Sequence, residues 1–303
     1  MIQQSSNSAS WLLRYVELLL PLHRLIASGE GDSEAADELR DLMDEPWMHL
    51  GAAEISLTNG LSEDLYSLGR ERIEPEGEVD ASETAAFKHS FDSQNWPQAL
   101  AILRRNQEKF PQDEASILRG QLWAFMDLPA AALPFFEDVA RFRSLDTGEE
   151  QMYLVCAVLA GQARNFVKRA RQILGQTQDA RKQLMASEVL FKAAAESESE
   201  ELLREAINAA EQGLGANRDD EDSPVRSQDL LSAYVNLALG YDLLGKSSQA
   251  CQVCDVALKL APDDPNLCDL QSFLRNPDFP PAQKSSYRNR LRRQPDTPVA
   301  LYQ

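Results

Sequence analysis

Along most of this chain, apolar residues recur at the three- and four-residue spacing of a helix buried on one side. Trp11, Leu12, Tyr15, Val16, Leu18, Leu19 and Leu22 make the first such face, behind polar residues 1–9 that predict a frayed end. Pro21 predicts a kink or a stop, because its ring removes a backbone donor and crowds the preceding turn. A turn from Gly29 to Asp32 leads into a second amphipathic segment, with Leu39, Leu42 and Met43 on one side and Pro46 closing it. Its acidic first turn favours the positive end of the helix dipole. Two short helices are expected next, one near Ala52 to Leu57 and one N-capped by Ser62, which would bury Leu65, Tyr66 and Leu68. Residues 70–80, rich in Glu with Pro75 and Gly77, read as a linker, so residues 1–75 form an N-terminal helical region.

From Asp80 the pattern changes to helix pairs with small residues at fixed places. Within Leu231 to Asp264, large Tyr234, Leu237 and Tyr241 alternate with small Ala238, Ala250 and Ala257, Cys254 falls between, and Pro262 closes the second helix. Small side chains let two helices approach closely, while the large ones fill the space that remains. Gly245 supplies the turn between them, and the residue before Pro262 avoids helical geometry. This segment resembles the tetratricopeptide repeat at its eight signature positions, with Tyr234 in place of Trp and Cys254 in place of an aromatic.

Upstream copies are degenerate. Asp80 to Asp113 places Phe87 where a small residue belongs, then Ala99, Leu103 and Pro111 as the motif requires, with Asn95 to Leu100 resembling the inter-helix turn. Asp113 to Leu145 offers Gly120, Trp123, Ala132 and Phe136, a better fit at the helix contact. Divergent pairs are expected between Glu149 and Gly215, then a polar acidic loop over 213–229. Leu267, Leu270, Phe273 and Leu274 predict a helix that covers the last open face. The resemblance implies an all-α fold. Antiparallel helix pairs would stack as a right-handed α-solenoid over 80–275, since one pair alone leaves an apolar side uncovered. Residues 276–303, short of packable apolar residues and rich in Pro, Arg and Ser, are expected to form a basic, disordered tail.

Charge narrows the partners. The net charge of −18 repels a phosphate backbone, so nucleic acid is not expected. Residues 276–303 run the other way, with Lys284, Arg288, Arg290, Arg292 and Arg293 against Asp278 and Asp296. Such a tail would dock on an acidic partner or fold back on the acidic body. The apolar tract from Trp11 to Ile26 is too short for a bilayer and is broken by Arg14, Glu17, His23 and Arg24, so no membrane is expected. Without a secretory signal pattern, and with four cysteines read as reduced and buried, the expected compartment is the cytoplasm.

Candidate chemistry is sparse. Cys251 and Cys254 form a CxxC that would bind zinc only with Cys268 and a fourth ligand, and both lie where the repeat packs, so buried small hydrophobes are the simpler reading. His23, His49 and His89 are scattered. Asp219, Asp220, Glu221 and Asp222 lack the glycine and terminal glutamate of a calcium loop. No phosphate-binding glycine loop or GxSxG elbow occurs. No catalytic residue, metal or cofactor is expected.

In the tetratricopeptide family the first helices of successive pairs line a concave groove. Carried onto matching positions, the resemblance nominates Lys88, Phe91 and Asp92, then Ile117, Gln121 and Phe125, then Val235, Leu239, Asp242 and Leu243, with Asn236 placed to hydrogen-bond a peptide backbone. Trp96, Trp123, Phe125, Phe135 and Phe136 are candidates for an aromatic pocket, against core packing as the simpler reading. The basic clamp of chaperone-binding members is not matched, because Lys88 lacks companions. The expected function is a scaffold or adaptor that binds a peptide or partner helix. The alternatives are a structural subunit of a larger complex, or an activity in the first 75 residues that no residue constellation marks.

Overall fold

A computed structural model describes residues 3–69, 75, 77, 79–219 and 227–276. Among these residues the chain forms fourteen α-helices and two 3-10 turns, with no strand. It divides into two compact units after Cys156. None of the described helices is long and apolar enough to cross a membrane.

The first unit opens with α1 (Gln3–Ala27), α2 (Glu34–His49) and α3 (Ala52–Tyr66). Helix α1 begins within the polar stretch expected to fray and runs through Pro21 to Ala27. A proline inside a helix costs about 3 kcal/mol, whereas each fully buried Leu or Val contributes about 1.5–3 kcal/mol. Val16, Leu18, Leu19, Leu20 and Leu22 are all buried, and α1 packs on α2 and α3, so packing outweighs the breaker. Pro46 likewise does not close α2. It is buried inside the helix, which continues to His49. Of the apolar trio expected on one side of α2, Met43 is buried but Leu42 stands exposed.

The two short helices expected over 52–68 are one. Ser62 lies inside α3, whose start is set instead by Glu54, accepting from the Gly51 N–H at 2.7 Å. Leu61 and Leu65 are fully buried, and their burial holds α3 together past Asn59 and Gly60. Most of the 70–80 linker lies outside the described residues.

Helices α4 (Ala81–Asp92), α5 (Trp96–Arg105), α6 (Gln112–Phe125) and α7 (Pro129–Ala140) follow as two pairs, with α5 against α6. Ala99, Leu103, Ala132 and Phe136 are fully buried at the contacts. A Cβ on Gly120 would come within 2.9 Å of the Phe136 ring, which is why the small residue sits there. Helix α8 (Thr147–Leu159) begins in this unit, where Tyr153 lies 5.8 Å from Phe136, centroid to centroid.

The second unit continues from Ala157 through a 3-10 turn (Ala163–Phe166), α9 (Val167–Gln176), α10 (Ala180–Ser197) and α11 (Glu200–Asp219). It ends with α12 (Ser227–Leu243), α13 (Ser247–Leu260) and α14 (Pro265–Arg275). Helix α10 packs against α9, α11 and α12; α12 packs on α13, and α13 on α14. Ala238, Ala250 and Ala257 are all fully buried, and Gly245 turns the chain with φ of +73°. Of the acidic loop expected over 213–229, residues 213–219 belong to α11 and 227–229 to α12, and residues 220–226 lie outside the described residues. Leu214 is buried and Gly213 lies tight against Leu184, so α11 stays helical along the second core. Asp264 caps α14 by accepting from Asn266 and Leu267 N–H at 2.9 and 3.0 Å, and Leu267, Leu270 and Phe273 are buried. The basic tail from Pro277 onward and most of the acidic run Asp219–Asp222 lie outside the described residues.

Candidate functional site

Helix α6 occupies the middle of the first unit, and an interior carboxylate fixes its position. Asp64, on α3, has 2% of its side chain exposed. It accepts from Arg104 Nε at 2.9 Å and Arg104 Nη2 at 2.7 Å, a paired arrangement from α5. Trp123 Nε1 of α6 donates to it at 3.1 Å, and Arg119 Nε lies 3.3 Å away. Gly60 makes room, since a Cβ there would meet the Arg104 guanidinium at 2.5 Å. Three helices thus converge on one buried charge, which low dielectric makes strong when satisfied and costly when broken.

Half-buried aromatic rings from α4, α5 and α6 form a separate cluster. Phe91 ends α4, Trp96 opens α5 and Phe125 ends α6. Phe91 lies 5.3 Å from Trp96 and 5.8 Å from Phe125, both edge-on, and Trp96 lies 5.0 Å from Phe125. Phe87 extends the group, 6.1 Å from Phe91. Phe87, large where the resemblance expects a small residue, therefore joins a partly open aromatic surface. Trp123, Phe135 and Phe136, by contrast, are fully buried and belong to the core.

Further along α6, Gln121 and Ile117 line a cleft of about 510 Å³, together with Leu118 and Pro111. Its rim is charged: Asp113 and Glu114 from the start of α6, and Arg143, Asp146 and Glu149 around the start of α8. Arg143 donates twice to Glu149, at 2.7 Å each, and lies 3.4 Å from Asp113. Asp146 and Glu149 cap α8 reciprocally, each side chain accepting from the other's backbone N–H, at 2.8 and 2.9 Å. Arg143, helped by the Asp146 N–H, holds the Glu149 carboxyl below its ordinary range despite partial burial. Glu149 in turn raises the Arg143 guanidinium.

The resemblance-derived positions thus divide. Phe91, Ile117, Gln121 and Phe125 come together on the aromatic cluster and the cleft, with Ile117 nearly buried and the others half-buried. Lys88 and Asp92 are exposed on α4 beside them. Val235, Asn236, Leu239, Asp242 and Leu243 lie on α12 in the second unit. There Val235 and Leu239 pack on a core of Ala238, Cys254, Leu270 and Phe273, so residues of α13 and α14 cover part of that face. Asn236 and Asp242 are half-buried, and Leu243 is 38% exposed.

The cysteines are free, but only two are buried: Cys156 and Cys254 are, Cys251 is half-buried and Cys268 is exposed. Burial pushes the Cys156 thiol up, and Cys254 to about 11, so neither is a ready thiolate at neutral pH. Cys254 packs as a small hydrophobe, its thiol 3.9 Å from the Leu267 carbonyl. Among the described residues, no group of three His, Cys, Asp or Glu is placed to hold a metal ion. His49 stacks on Trp11 at 4.4 Å and His23 meets the edge of Tyr66 at 5.1 Å, both in ring contacts. No family model, curated protein or solved structure matches this chain. The role of the surface must therefore be read from its own chemistry.

Sequence reasoning named Phe91, Trp96, Ile117, Gln121 and Phe125 but missed the charged wall of the cleft. One signal was present, the Asp146-x-x-Glu149 capping box before an apolar run. Nothing local marked Asp64 and Arg104 as partners, because forty residues separate them.

Proposed function

We propose that this chain is a protein-binding scaffold or adaptor and that its first unit holds a peptide or partner helix across α4 and α6. The observation that carries this reading is the half-open cluster of Phe91, Trp96 and Phe125. Rigid aromatic side chains supply contact area at low entropic cost, and such groups dominate binding energy at protein interfaces. A tetratricopeptide-like stack of helix pairs, curving as a right-handed solenoid, is the architecture we infer for that role; the small-residue contacts at Gly120, Ala238 and Ala250 support it. The free cysteines go with a reducing compartment, the cytoplasm.

The test is selection of peptides from a random library on the full chain, followed by affinity measurement with Phe125→Ala and Phe91→Ala. Each substitution should weaken the selected peptide by roughly tenfold or more with far-ultraviolet circular dichroism unchanged. No enrichment, or affinity indifferent to both substitutions, counts against the reading.

A second reading, a subunit held within a larger assembly, has one observation in its favour. Leu42 and Met48 of α2 are 53% and 76% exposed, next to Trp47. Large apolar side chains left exposed on one helix offer contact area to a partner. It expects an assembly that sediments faster than the monomer and falls apart on Met48→Glu; a monomer unaffected by that change removes it.

A further inference from the structure

The cleft beside the aromatic cluster adds a chemical requirement to the proposed partner, a requirement that rests on the peptide-binding reading. Along α6, Ile117, Gln121 and Phe125 succeed one another at four-residue spacing, so they drift slowly around one side of the helix. The aromatic cluster holds the Phe125 end and the cleft takes the Ile117 end. From Phe125 back to Ile117 and Glu114 the helix rises about 12 to 16 Å.

The charge of the cleft rim is one-sided. Asp113, Glu114, Asp146 and Glu149 stand against Arg143, a formal −4 + 1 = −3. The starts of α6 and α8 offset about half a charge each, which leaves the rim negative. Arg143 is also already engaged by Glu149 and Asp113, so it is not free to receive an incoming anion. Glu114 lies at the mouth. Inside, Ile117, Leu118 and Pro111 give an apolar wall, which suits the methylene stem of a long basic side chain whose head stays at the rim. Guanidinium heads gain most, because they meet carboxylates with two hydrogen bonds.

We propose that this surface takes a peptide with an aromatic or large aliphatic anchor against Phe91, Trp96 and Phe125, and an arginine or lysine entering the acidic cleft. An extended chain advances about 3.3 Å per residue, so the basic residue stands about three to five positions from the anchor. The net charge of −18 would speed the approach of such a peptide and make its binding sensitive to salt.

The experiment uses the full chain and the peptides recovered from the random library. The expected consensus pairs an apolar anchor with Arg or Lys at that spacing. Replacing the peptide's basic residue by Glu should weaken binding by roughly tenfold or more, and Glu114→Lys in the protein by roughly threefold to tenfold. Glu114→Lys sits at the rim, outside the buried core, so circular dichroism should be unchanged. A consensus without a basic residue overturns the proposal, as does binding indifferent to both charge reversals. If Phe125→Ala still abolishes binding in that case, the peptide-binding reading stands and only the basic requirement falls. If Phe125→Ala is also without effect, both fall.

Discussion

The two units solve the same packing problem with different chemistry. The first surrounds a buried carboxylate with two guanidiniums and an indole, and also buries Asn106, Asp138 and Glu150. In the second, the fully enclosed polar residues among those described are Gln183 and Ser187, with Glu188 partly buried beside them, and the core combines alanines with Leu184, Ile207, Leu237 and Tyr241. Directional hydrogen bonds to one buried carboxylate tie α3, α5 and α6 of the first unit to one geometry. In the second unit α10 and α11 close tightly at Gly213, and the inter-helix hydrogen bonds, such as Tyr241 to Glu211 and Arg171 to Glu205, reach partners nearer the surface. The aromatic rings Trp96 and Phe125 ride on the same α5 and α6 that the Asp64 carboxylate ties together, and helices held in one geometry keep such rings at fixed separations.

The largest expected effect breaks the first unit alone. Asp64→Ala leaves two guanidiniums without their carboxylate, which costs about 3–5 kcal/mol. All four tryptophans, Trp11, Trp47, Trp96 and Trp123, lie in the first unit, so tryptophan fluorescence during urea unfolding reads that unit. A fluorescence midpoint unmoved by Asp64→Ala would show the network to be idle.

The matching change in the second unit is Gly213→Ala. Its Cβ would come within 2.7 Å of Leu184 Cδ2 and 3.1 Å of the Ala180 carbonyl oxygen. Overpacking of this kind costs about 1–3 kcal/mol, against a helix-propensity gain of about 1 kcal/mol. A net loss is expected, visible by circular dichroism and silent in tryptophan fluorescence. Stabilisation instead would mean that α10 and α11 can separate freely.

A smaller effect depends on pH. Glu188, on α10, has its carboxyl pushed up to about 7 by burial first, then by Asp229, with Lys192 acting in the opposite direction. A carboxyl with a raised folded-state pKa favours the protonated form, so the folded state binds more protons than the unfolded chain between the two values. Stability should therefore fall as pH rises from the unfolded value of about 4.3 towards 7. Glu188→Gln should flatten that slope; an identical profile in both proteins would refute the assignment.

The smallest effect sharpens the contrast within one helix. Gly215, two residues beyond Gly213 in α11, has open space around its missing Cβ. Gly215→Ala should therefore stabilise by about 0.5–1 kcal/mol. Opposite signs at 213 and 215 in thermal melts would locate the close contact; equal signs would remove it.

The features legible in the sequence were those that depend on local spacing. Ala238, Ala250 and Ala257 announce their burial by position within a helix pair, and Gly120 does so opposite Phe136. Leu267, Leu270 and Phe273 mark α14 by their helical spacing, and all three are buried. The failures share a cause, since each needed a distant partner. Pro21 and Pro46 read as breakers until buried faces held their helices together, and Ser62 read as a cap until Leu61 and Leu65 carried α3 past it. Residues 213–219 read as the start of a loop because Leu184, against which Gly213 packs, lies on α10. At the candidate site, Phe91, Gln121 and Phe125 were legible from repeat position. The cleft was not, because Arg143 draws Asp113 and Glu149 together from different helices.

Hydrogen–deuterium exchange on the full chain, with and without a library-selected peptide, tests the central claim most directly. Slowed exchange at the end of α4 and along α6, with α12 and α13 unchanged, is the expected result. Protection confined to α12 and α13 would contradict it.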